Sequence, residues 1–447
     1  MTAERNGRPG RAADGTVEAG VRNPRARQRA LAIGVLTGKP GEDAELGELA
    51  ELLRTAGVAT AGIVVQQRAE PDPDRYFGRG KLVEVAEAVK RSDANVVACD
   101  DELAPRQERN LEQELGVPVI DRTAVILDIF ADHAHSAAGK LQVELAQLEY
   151  NLARMRGLWT HLERLGAGRM DGGIGTRGPG ESQIETDRRL ARDRISALRR
   201  ELRVVEQSRE TMRAERERSA TPTVALAGYT NAGKSTLLNA ITGAGVGVGD
   251  RLFQTLDPTT RSFDHVGRHY LMTDTVGFIR KLPHQLVDAF KATLEETIRA
   301  DLILHVVDAA EPAPVREVAI RAVDDVLEEI GAGDIPRLVV YNKLDLLDEE
   351  GRRDLLVGSR DVVGVSAATG DGVEELLDAL ASAFEETLRA MELLFPYGDG
   401  AMLSELHAVA GRVERTERDD GVLVRARVPR ALAHRFESYS VNGASAG

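Results

Sequence analysis

The sequence predicts an α/β protein in which two parallel-sheet units are separated by a pair of long helices and followed by a small α+β unit. Three observations support this. Short β-branched, apolar runs alternate with amphipathic helical patterns before residue 130 and again after residue 220. Between the two arrays, apolar residues recur with heptad-like spacing. A glycine-rich turn joins an apolar run to a helical one at the start of the second array.

Composition and charge restrict the functional classes. The 447 residues are too many for one ordinary core, so several domains are expected. A net charge of −14 excludes a surface that attracts nucleic acid uniformly, so any such contact must be local. Cys99 is the only cysteine, which excludes an internal disulfide and fits a reducing compartment. No apolar stretch approaches the ~18 residues of a membrane span, so we expect a cytoplasmic protein without membrane contact.

The first part of the chain divides into a tail and a sheet unit. Residues 1–30 are rich in Arg, Gly and Ala and lack an apolar core, so we predict a disordered basic tail. Residues 31–130 contain the strand patterns "LAIGVL", "VATAGIVVQQ", "ANVVACD" and "VPVID", separated by helical patterns. This alternation predicts a small parallel α/β domain.

Residues 131–219 are predicted to form a long antiparallel helical hairpin. One apolar seam consists of Leu141, Leu145, Leu148, Leu152, Met155, Trp159 and Leu162. A second consists of Ile195, Leu198, Leu202 and Val205. Because each helix has one apolar stripe and a glycine-rich stretch joins them, they should pair. A helix of about 25 residues would place the glycine-rich tip roughly 35 Å from its base.

The strongest signal lies in "TVALAGYTNAGKSTLLNAITG", at the start of residues 220–389. Gly228-x4-Gly233-Lys234-Ser235 follows an apolar strand and opens a helix, which is the context of a phosphate-binding loop. Glycines allow backbone N–H groups to surround the β-phosphate, and Lys234 neutralises the β/γ oxygens. The Ser235 hydroxyl would bind Mg²⁺.

Later motifs stand at further strand ends. Asp274-Thr275-Val276-Gly277 ends "HYLMTD"; Asp274 would bind Mg²⁺ through water, and the Gly277 amide would contact the γ-phosphate. Asn342-Lys343-Leu344-Asp345 ends "RLVVY", and Ser366-Ala367 ends "DVVGV". A carboxylate at Asp345 can accept hydrogen bonds from guanine N1–H and the 2-amino group, which adenine lacks. Asn342, Lys343 and the Ala367 amide would contact the rest of the base. The set predicts a GTPase domain.

A switch loop should lie between the first two motifs, in "RLFQTLDPTTRSF". One threonine there should close over Mg²⁺ and the γ-phosphate, and spacing alone does not choose between Thr255, Thr259 and Thr260. The candidate nucleotide contacts are Gly228, Tyr229, Thr230, Asn231, Ala232, Gly233, Lys234, Ser235, Thr236, Phe253, Gln254, Thr255, Leu256, Asp257, Asp274, Thr275, Val276, Gly277, Asn342, Lys343, Leu344, Asp345, Ser366 and Ala367.

The position after Gly277 departs from many GTPases. A glutamine there often orients the attacking water, but this chain has Phe278. We therefore expect slow intrinsic hydrolysis that depends on a partner. Asn231 is a candidate for holding K⁺ near the phosphates; the alternative is that it only suits a tight turn.

The rest of the chain is a small α+β unit, residues 390–440. It reads as the strand "RAMELLFP", the helix "GAMLSELHAVA", a hairpin turning at Asp420-Gly421 and a closing helix. With the preceding units, the predicted fold is a P-loop GTPase domain with an N-terminal parallel α/β domain, a helical hairpin and a C-terminal α+β domain.

The hairpin tip, "GGIGTRGPGESQIETDRR", contains a G-x-G-x-x-G pattern. No strand precedes it, so a dinucleotide site is disfavoured, and a plain helix connector is the alternative. Residues 151–220 contain 16 arginines and 11 acidic residues, a net charge of +5. A basic, glycine-rich tip suits contact with folded RNA. The candidate RNA contacts are Arg169, Arg177, Arg188 and Arg189.

The complete set of motifs resembles the HflX family of translational GTPases, relatives of the Obg group. Its marks are "YFGRGKLVEV", "DRTAVILDIFADHAHSAAGKLQVELAQLEYNLARM", the tip sequence, "GYTNAGKSTLLN", "LFQTLDPTTR", "DTVGFI" and "NKLD". The resemblance covers about residues 31–440 and leaves the arginine-rich tail unexplained.

The resemblance implies a cytosolic GTPase that uses GTP/GDP and Mg²⁺. It also implies binding to the large ribosomal subunit and splitting of stalled or idle ribosomes, notably under stress. Thr255 would then be the Mg²⁺ ligand beside Ser235 and Asp274, and the tip would reach toward the peptidyl-transferase region. The candidate catalytic residues are Lys234, Asn231, Gly277 and Thr255. We expect a monomer. A GTP-dependent RNA-binding switch in subunit assembly and a regulator of a non-ribosomal protein remain alternatives.

Overall fold

The structure is a computed structural model that describes most of the chain. The described residues are 28–38, 46–155, 179–219, 221–243, 245, 252–253, 256–281, 283, 286, 291–356, 362–410 and 413–441. The predictions for residues 1–27, Arg169, Arg177, Gln254 and Thr255 lie outside them.

The N-terminal unit is a four-stranded parallel sheet of order β2-β1-β3-β4. Its strands are β1 Arg29–Leu36, β2 Ala59–Gln67, β3 Val96–Cys99 and β4 Val119–Asp121. Its helices are α1 Gly47–Thr55, α2 Arg79–Ser92, α3 Pro105–Leu115 and α4 Arg122–His133. Apolar residues of α2 and α3 cover one face of the sheet, and those of α1 and α4 cover the other. The predicted parallel α/β unit is confirmed, although α4 extends past residue 130.

Two helices follow, α5 Ala137–Arg154 and α6 Pro179–Ser219. They pack through the predicted seams, where Leu145, Ile195 and Leu198 are buried. Ion pairs flank this contact, from Arg194 to Glu144 at 2.7 Å and from Arg199 to Glu149 at 2.7 Å. The predicted continuation of the first seam through Trp159 and Leu162 lies outside the described residues. Within the described part of the chain, no helix combines the length and hydrophobicity needed to cross a bilayer.

The next unit is a six-stranded sheet of order β10-β9-β8-β5-β7-β6, in which β6 runs antiparallel to β7 and the other neighbours are parallel. The strands are β5 Thr223–Gly228, β6 Thr259–His265, β7 Arg268–Asp274, β8 Leu302–Asp308, β9 Arg337–Asn342 and β10 Val362–Gly364. The helices are α7 Lys234–Thr242, α8 Lys291–Ile298, α9 Ala313–Glu329, α10 Glu349–Leu356 and α11 Val373–Thr387. Parallel pairing brings the carboxyl ends of β5, β7 and β9, where the motifs lie, to one edge.

The C-terminal unit is a three-stranded antiparallel sheet of order β11-β13-β12. It contains β11 Leu388–Phe395, α12 Gly400–Val409, β12 Val413–Arg418, β13 Gly421–Pro429 and α13 Arg430–Ala433, followed by a 3₁₀ turn, His434–Tyr439. The order of elements agrees with the prediction. β11 begins two residues before the expected boundary at 390.

One apolar cluster crosses between the N-terminal unit and the six-stranded unit. Residues of α1, α4 and α5 pack there against Leu252, Phe253, Leu256, Val276, Ile279 and Leu286. The ring of Phe130 meets that of Phe253 edge-on, with the centroids 4.8 Å apart. The N-terminal unit therefore lies directly against the segments that precede β6 and follow β7.

Candidate nucleotide-binding site

The loop between β5 and α7 has the geometry of a phosphate cradle. A Cβ atom at Gly228 would lie 2.3 Å from the Val306 carbonyl oxygen, so only glycine fits there. Gly233 has a φ of +90° and turns the chain into α7. Lys234, the first residue of α7, is buried, and its Nζ donates to the carbonyl oxygens of Gly228 at 2.9 Å and Tyr229 at 2.8 Å. The ammonium group is held inside the loop.

The electrostatics of Lys234 favour an anion. Burial lowers the pKa of Lys234 to about 8, and the nearby Asp274 carboxylate offsets only part of this effect. Thr230 Oγ1 is also buried, and no described residue gives it a hydrogen-bond partner. Backbone N–H groups at the start of α7 add a partial positive charge. These features fit a bound phosphate.

The backbone around Gly277 forms the opposite wall of the cradle. The Thr230 N–H donates to the Phe278 carbonyl at 2.8 Å, and the Phe278 N–H donates to Gly228 O at 3.1 Å. A Cβ at Gly277 would lie 2.8 Å from Thr230 Cγ2 and 3.2 Å from Lys234 Nζ. The absence of a side chain at Gly277 therefore keeps the space beside the ammonium group open.

Oxygen ligands for a cation converge beside Lys234. The Ser235 hydroxyl donates to Asp274 Oδ2 at 2.5 Å. Thr259, the first residue of β6, pairs with Asp274 at the end of β7. Hydroxyl and carboxylate oxygens are the donors that Mg²⁺ prefers. The residues present therefore fit a magnesium ion at this edge.

The base-recognition motifs meet on the other side of the loop. Asn342 Nδ2 donates to Ala232 O at 2.9 Å, and Asn342 Oδ1 accepts from the Ala367 N–H at 2.9 Å. The Ser366 hydroxyl donates to Asp345 Oδ1 at 2.6 Å. Asn342 thus joins the phosphate loop to the loop after β10, while Ser366 orients the carboxylate that would contact guanine.

Comparisons with known proteins agree with this geometry. The family described as "50S ribosome-binding GTPase" matches residues 223–343, and the families "GTP-binding GTPase N-terminal" and "GTP-binding GTPase Middle Region" match residues 43–131 and 133–216. A GTPase HflX of Lacrimispora saccharolytica is 45% identical over 91% of this chain and 94% of its own length. The chain belongs to the HflX family of GTPases. It is therefore an enzyme that binds guanine nucleotides and hydrolyses GTP.

Other HflX relatives have similar coverage. GTPase HflX of Escherichia coli strain K12 is 48% identical over 86% of this chain and 90% of its own length. Among solved structures, the crystal structure of SsGBP with GDP is 26% identical, with a TM-score of 0.42, and covers 80% of this chain and 98% of its own.

The side chains of several predicted nucleotide contacts bind other parts of the protein. The Tyr229 hydroxyl donates to Glu48 Oε2 at 2.7 Å, and the side chains of Phe253, Leu256 and Val276 are buried in the cluster shared with the N-terminal unit. The Asp257 carboxylate accepts a hydrogen bond from the backbone N–H of Ser136 at 2.7 Å, at the start of α5. In the HflX chain, these side chains hold two units together. Contact of these residues with nucleotide, which their backbone atoms can make, stays a prediction.

Other candidates have distinct surroundings. Phe278 is 1% exposed and packs under the sheet, so its side chain cannot reach a water beside the phosphates. Asn231 has a φ of +60°, a left-handed conformation that asparagine tolerates and that suits a tight turn. The Thr275 hydroxyl donates to Leu226 O at 2.6 Å and fixes the strand end. Lys343 also has a positive φ, +65°, and its Nζ lies 2.6 Å from Asp308 Oδ2.

Thr236 and Leu344 follow the key residues of their motifs. Thr236 lies in the first turn of α7, and Leu344 begins a 3₁₀ turn after β9.

Of the predicted RNA contacts, Arg188 and Arg189 lie on α6, where Arg189 is exposed and Arg188 is half-buried. Arg188 and Arg189 do not by themselves form an RNA-binding surface.

Sequence reasoning missed a buried ionic network between the units. Arg122, 1% exposed, pairs with Glu48 and with Asp100 at 2.8 Å, and its Nη2 donates to Arg280 O at 3.0 Å. Glu48 also accepts from Arg280 Nε at 2.9 Å. The Tyr229 hydroxyl accepts from the Arg280 N–H at 2.9 Å. The signal available was the Asp121-Arg122 pair within the apolar run "VPVIDRTAVILDIF".

Proposed function

We propose that this HflX-family GTPase binds the large ribosomal subunit and couples GTP binding and hydrolysis to the splitting or rescue of stalled or idle ribosomes. The observation that carries the proposal is the match of residues 223–343 to the family described as "50S ribosome-binding GTPase". The arginine-rich helix α6, which carries exposed Arg189, supports contact with ribosomal RNA. We expect the protein to act in the cytoplasm as a monomer.

Guanine is selected by the loop after β9. The Asp345 carboxylate, oriented by Ser366, would accept the N1–H and 2-amino hydrogens of guanine. Asp345 is exposed in this structure, and a bound base would cover it. Adenine would then leave that acceptor unpaired, which costs about 1–3 kcal/mol for a covered group. Asn342, at the end of β9, joins the phosphate loop to the loop after β10 through its bonds to Ala232 and Ala367.

The phosphates bind between the β5–α7 loop and Gly277. Lys234 would neutralise the β/γ oxygens, and the Gly277 N–H would contact the γ-phosphate. Ser235, Asp274 and Thr255 would hold Mg²⁺, which supplies charge stabilisation for the transferred phosphoryl group when it is bound. The carbonyl groups that hold Lys234 keep it at the cradle before nucleotide arrives.

The chain lacks a side chain after Gly277 that orients water, because Phe278 is buried beneath the sheet. This supports slow hydrolysis in the free protein and acceleration on the ribosome, where another group can order the water. A K⁺ ion near Asn231 remains a further proposal; equal single-turnover rates in K⁺ and Na⁺ would remove it.

The decisive experiment measures GTP hydrolysis by the full chain with and without purified large ribosomal subunits. We expect a large rise in turnover with large subunits and little change with small subunits alone. Splitting of intact ribosomes by the protein with a non-hydrolysed GTP analogue supports the splitting role. Stimulation without splitting instead favours a GTP-dependent RNA-binding switch in large-subunit assembly, and no response to ribosomes contradicts the proposal.

A further inference from the structure

Tyr229, the residue after Gly228 in the phosphate loop, contacts two parts of the molecule. Its carbonyl oxygen accepts from Lys234 Nζ at 2.8 Å, so its backbone helps to hold the ammonium group. Its hydroxyl donates to Glu48 Oε2 at 2.7 Å and accepts from the Arg280 N–H at 2.9 Å. One residue therefore connects the position of Lys234 to helix α1 of the N-terminal unit.

Glu48 is itself fixed by two arginines. It lies in the first turn of α1, its side chain is 15% exposed, and its carboxylate pairs with Arg122 and, at 2.9 Å, with Arg280 Nε. Bonds from guanidinium groups to a carboxylate are charge-assisted and stronger than bonds between neutral groups. Burial raises the pKa of Tyr229, and the Glu48 carboxylate raises it further, so the hydroxyl keeps the proton that it donates. Glu48 therefore gives Tyr229 an acceptor in a fixed place.

The backbone turns this contact into a constraint on the phosphate loop. Tyr229 forms a β-bridge with Phe278, and Arg280 follows two residues later. The short segment from Phe278 to Arg280 therefore meets Tyr229 twice, once at its backbone and once at its hydroxyl. Because both ends of Tyr229 are bonded, its carbonyl group has little freedom to turn away from Lys234. The acceptor of the ammonium group is thus oriented in advance.

We propose that Glu48 is a positioning residue of the nucleotide site: through the Tyr229 hydroxyl, it keeps the Tyr229 carbonyl turned toward Lys234, so that the ammonium group is in place before a phosphate binds. The inference rests on the proposed function only in the role of Lys234 at the β/γ oxygens, and it is independent of the ribosomal role. A carboxylate of the N-terminal unit thereby takes part in a site built by the six-stranded unit.

A role for Glu48 in docking alone predicts a different result. Lys281 joins the same two units, since its Nζ pairs with Asp100 at 2.9 Å and with Asp101 at 2.5 Å, and these pairs include neither Tyr229 nor Glu48. If only docking matters, loss of the Lys281 pairs and loss of Glu48 should weaken nucleotide binding alike. If Glu48 acts through Tyr229, only changes to those two residues should do so.

The two nucleotides should respond in the same way. GDP and GTP share the β-phosphate that Lys234 faces. When the Tyr229 carbonyl is free to turn, part of the binding free energy is used to order the loop around Lys234. Both affinities should therefore fall by a similar factor, and the preference between GTP and GDP should stay unchanged.

The titration of Lys234 separates this role from a general loss of stability. A carbonyl acceptor favours the charged amine, so loss of the Tyr229 carbonyl bond lowers the pKa of Lys234 below about 8. Asp274 and His305 also face the ammonium group. Burial lowers the pKa of His305 to about 4, so it stays neutral between pH 7 and pH 9, and Asp274 is unchanged in every variant. The fall in GDP affinity should therefore begin at a lower pH.

The experiment measures dissociation constants for GDP and for a non-hydrolysed GTP analogue across this pH range, with Mg²⁺ and without ribosomes. Tyr229→Phe is the cleanest variant, because it removes one hydroxyl and no charge and leaves the ion pairs of Glu48 intact. Glu48→Ala removes the acceptor, and Glu48→Gln keeps one acceptor oxygen. Glu51→Ala is the matched control, an exposed acid one turn later in α1. Lys281→Met is the control for docking.

At pH 7 we expect Tyr229→Phe and Glu48→Ala each to weaken binding of both nucleotides about tenfold, the scale of one hydrogen bond to a charged group. The double variant should lose no more than the larger single loss, because the two side chains act through one bond. Glu48→Gln should recover part of the affinity, and Glu51→Ala and Lys281→Met should match wild type. In Tyr229→Phe, the fall in GDP affinity should begin at a lower pH.

Wild-type affinity in both Tyr229→Phe and Glu48→Ala would overturn the inference, as would an equal loss in Lys281→Met or an unchanged pH profile in Tyr229→Phe. Since Tyr229→Phe keeps every ion pair, it remains a test even where Glu48→Ala does not fold. Lys234→Ala separates the two levels of the argument. Normal GDP binding by Lys234→Ala contradicts the assignment of Lys234 to the phosphates, whereas loss of GDP binding in that variant alone removes only the role of Glu48.

Discussion

At the scale of single residues, buried charges set the properties of the site. Burial lowers the pKa of Lys234 to about 8, so the free protein loses this charge as the pH rises through that value. A bound phosphate favours the charged form and raises the pKa again. Binding of a phosphorylated nucleotide above pH 8 must therefore include uptake of a proton.

The affinity for GDP should fall about tenfold between pH 7 and pH 9, because a lysine with a pKa of about 8 is mostly charged at the first pH and mostly neutral at the second. Calorimetry in buffers of different ionisation enthalpy measures the proton uptake directly. Guanosine is the control, since it shares the ionisation of the base but has no phosphate. Identical pH profiles for GDP and guanosine would contradict the assignment of Lys234 to the phosphates.

Asp345 gives a second prediction at this scale. Asp345→Asn replaces one acceptor oxygen with a donor, which suits the 2-oxo group of xanthine and opposes the 2-amino group of guanine. Preference should therefore shift from GTP to xanthosine triphosphate by about two orders of magnitude or more. Competition binding measures the ratio. Unchanged GTP affinity would refute the base assignment.

At the scale of elements, apolar seams hold the long helices together. Leu198 of α6 is fully buried against Leu145 and Ile195. Leu198→Ala should lower the free energy of unfolding of the helical pair by about 2–5 kcal/mol, through lost burial and a residual cavity. Denaturant titration monitored by helical circular dichroism measures the change.

The matched control is Leu190→Ala in the same helix, because Leu190 is 59% exposed. It should change stability by less than about 0.5 kcal/mol. Affinity for GDP should be the same in both variants, since neither leucine approaches the phosphate loop. Equal destabilisation by the two changes would show that the seam does not hold the helices.

At the scale of the whole molecule, the network around Arg122 joins the N-terminal unit to the nucleotide-binding unit. Arg122→Met removes the cation that pairs with half-buried Glu48 and buried Asp100, although Arg280 still pairs with Glu48 and Lys281 with Asp100. The loss should be about 3 kcal/mol at pH 7, the lower end for a broken buried pair. Arg106→Met is the control, because the Arg106–Asp74 pair is exposed and worth about 0–1 kcal/mol.

Denaturant unfolding at pH 7 measures the loss of stability in both variants. Equal losses in Arg122→Met and Arg106→Met would contradict this account of the network.

The fold was largely predictable from the sequence. Strand and helix periodicity, together with the heptad spacing of Leu145, Ile195 and Leu198, indicated all three sheet units and the paired helices. The phosphate-binding and base-binding motifs could also be recognised in the sequence, because each is a short continuous segment at the end of one strand. The side-chain partners of Tyr229 and Asp257 were not predictable, because proximity in sequence to those motifs does not determine which way a side chain points.

The sequence by itself determined the nucleotide chemistry, since a phosphate loop, a carboxylate for guanine and their strand ends are local features of the chain. Only the tertiary structure decided which surfaces meet. Glu48 and Tyr229 are separated by 181 residues, and Ser136 and Asp257 by 121, yet each pair is hydrogen-bonded. Such contacts depend on how separately folded units pack, and no local pattern records that packing.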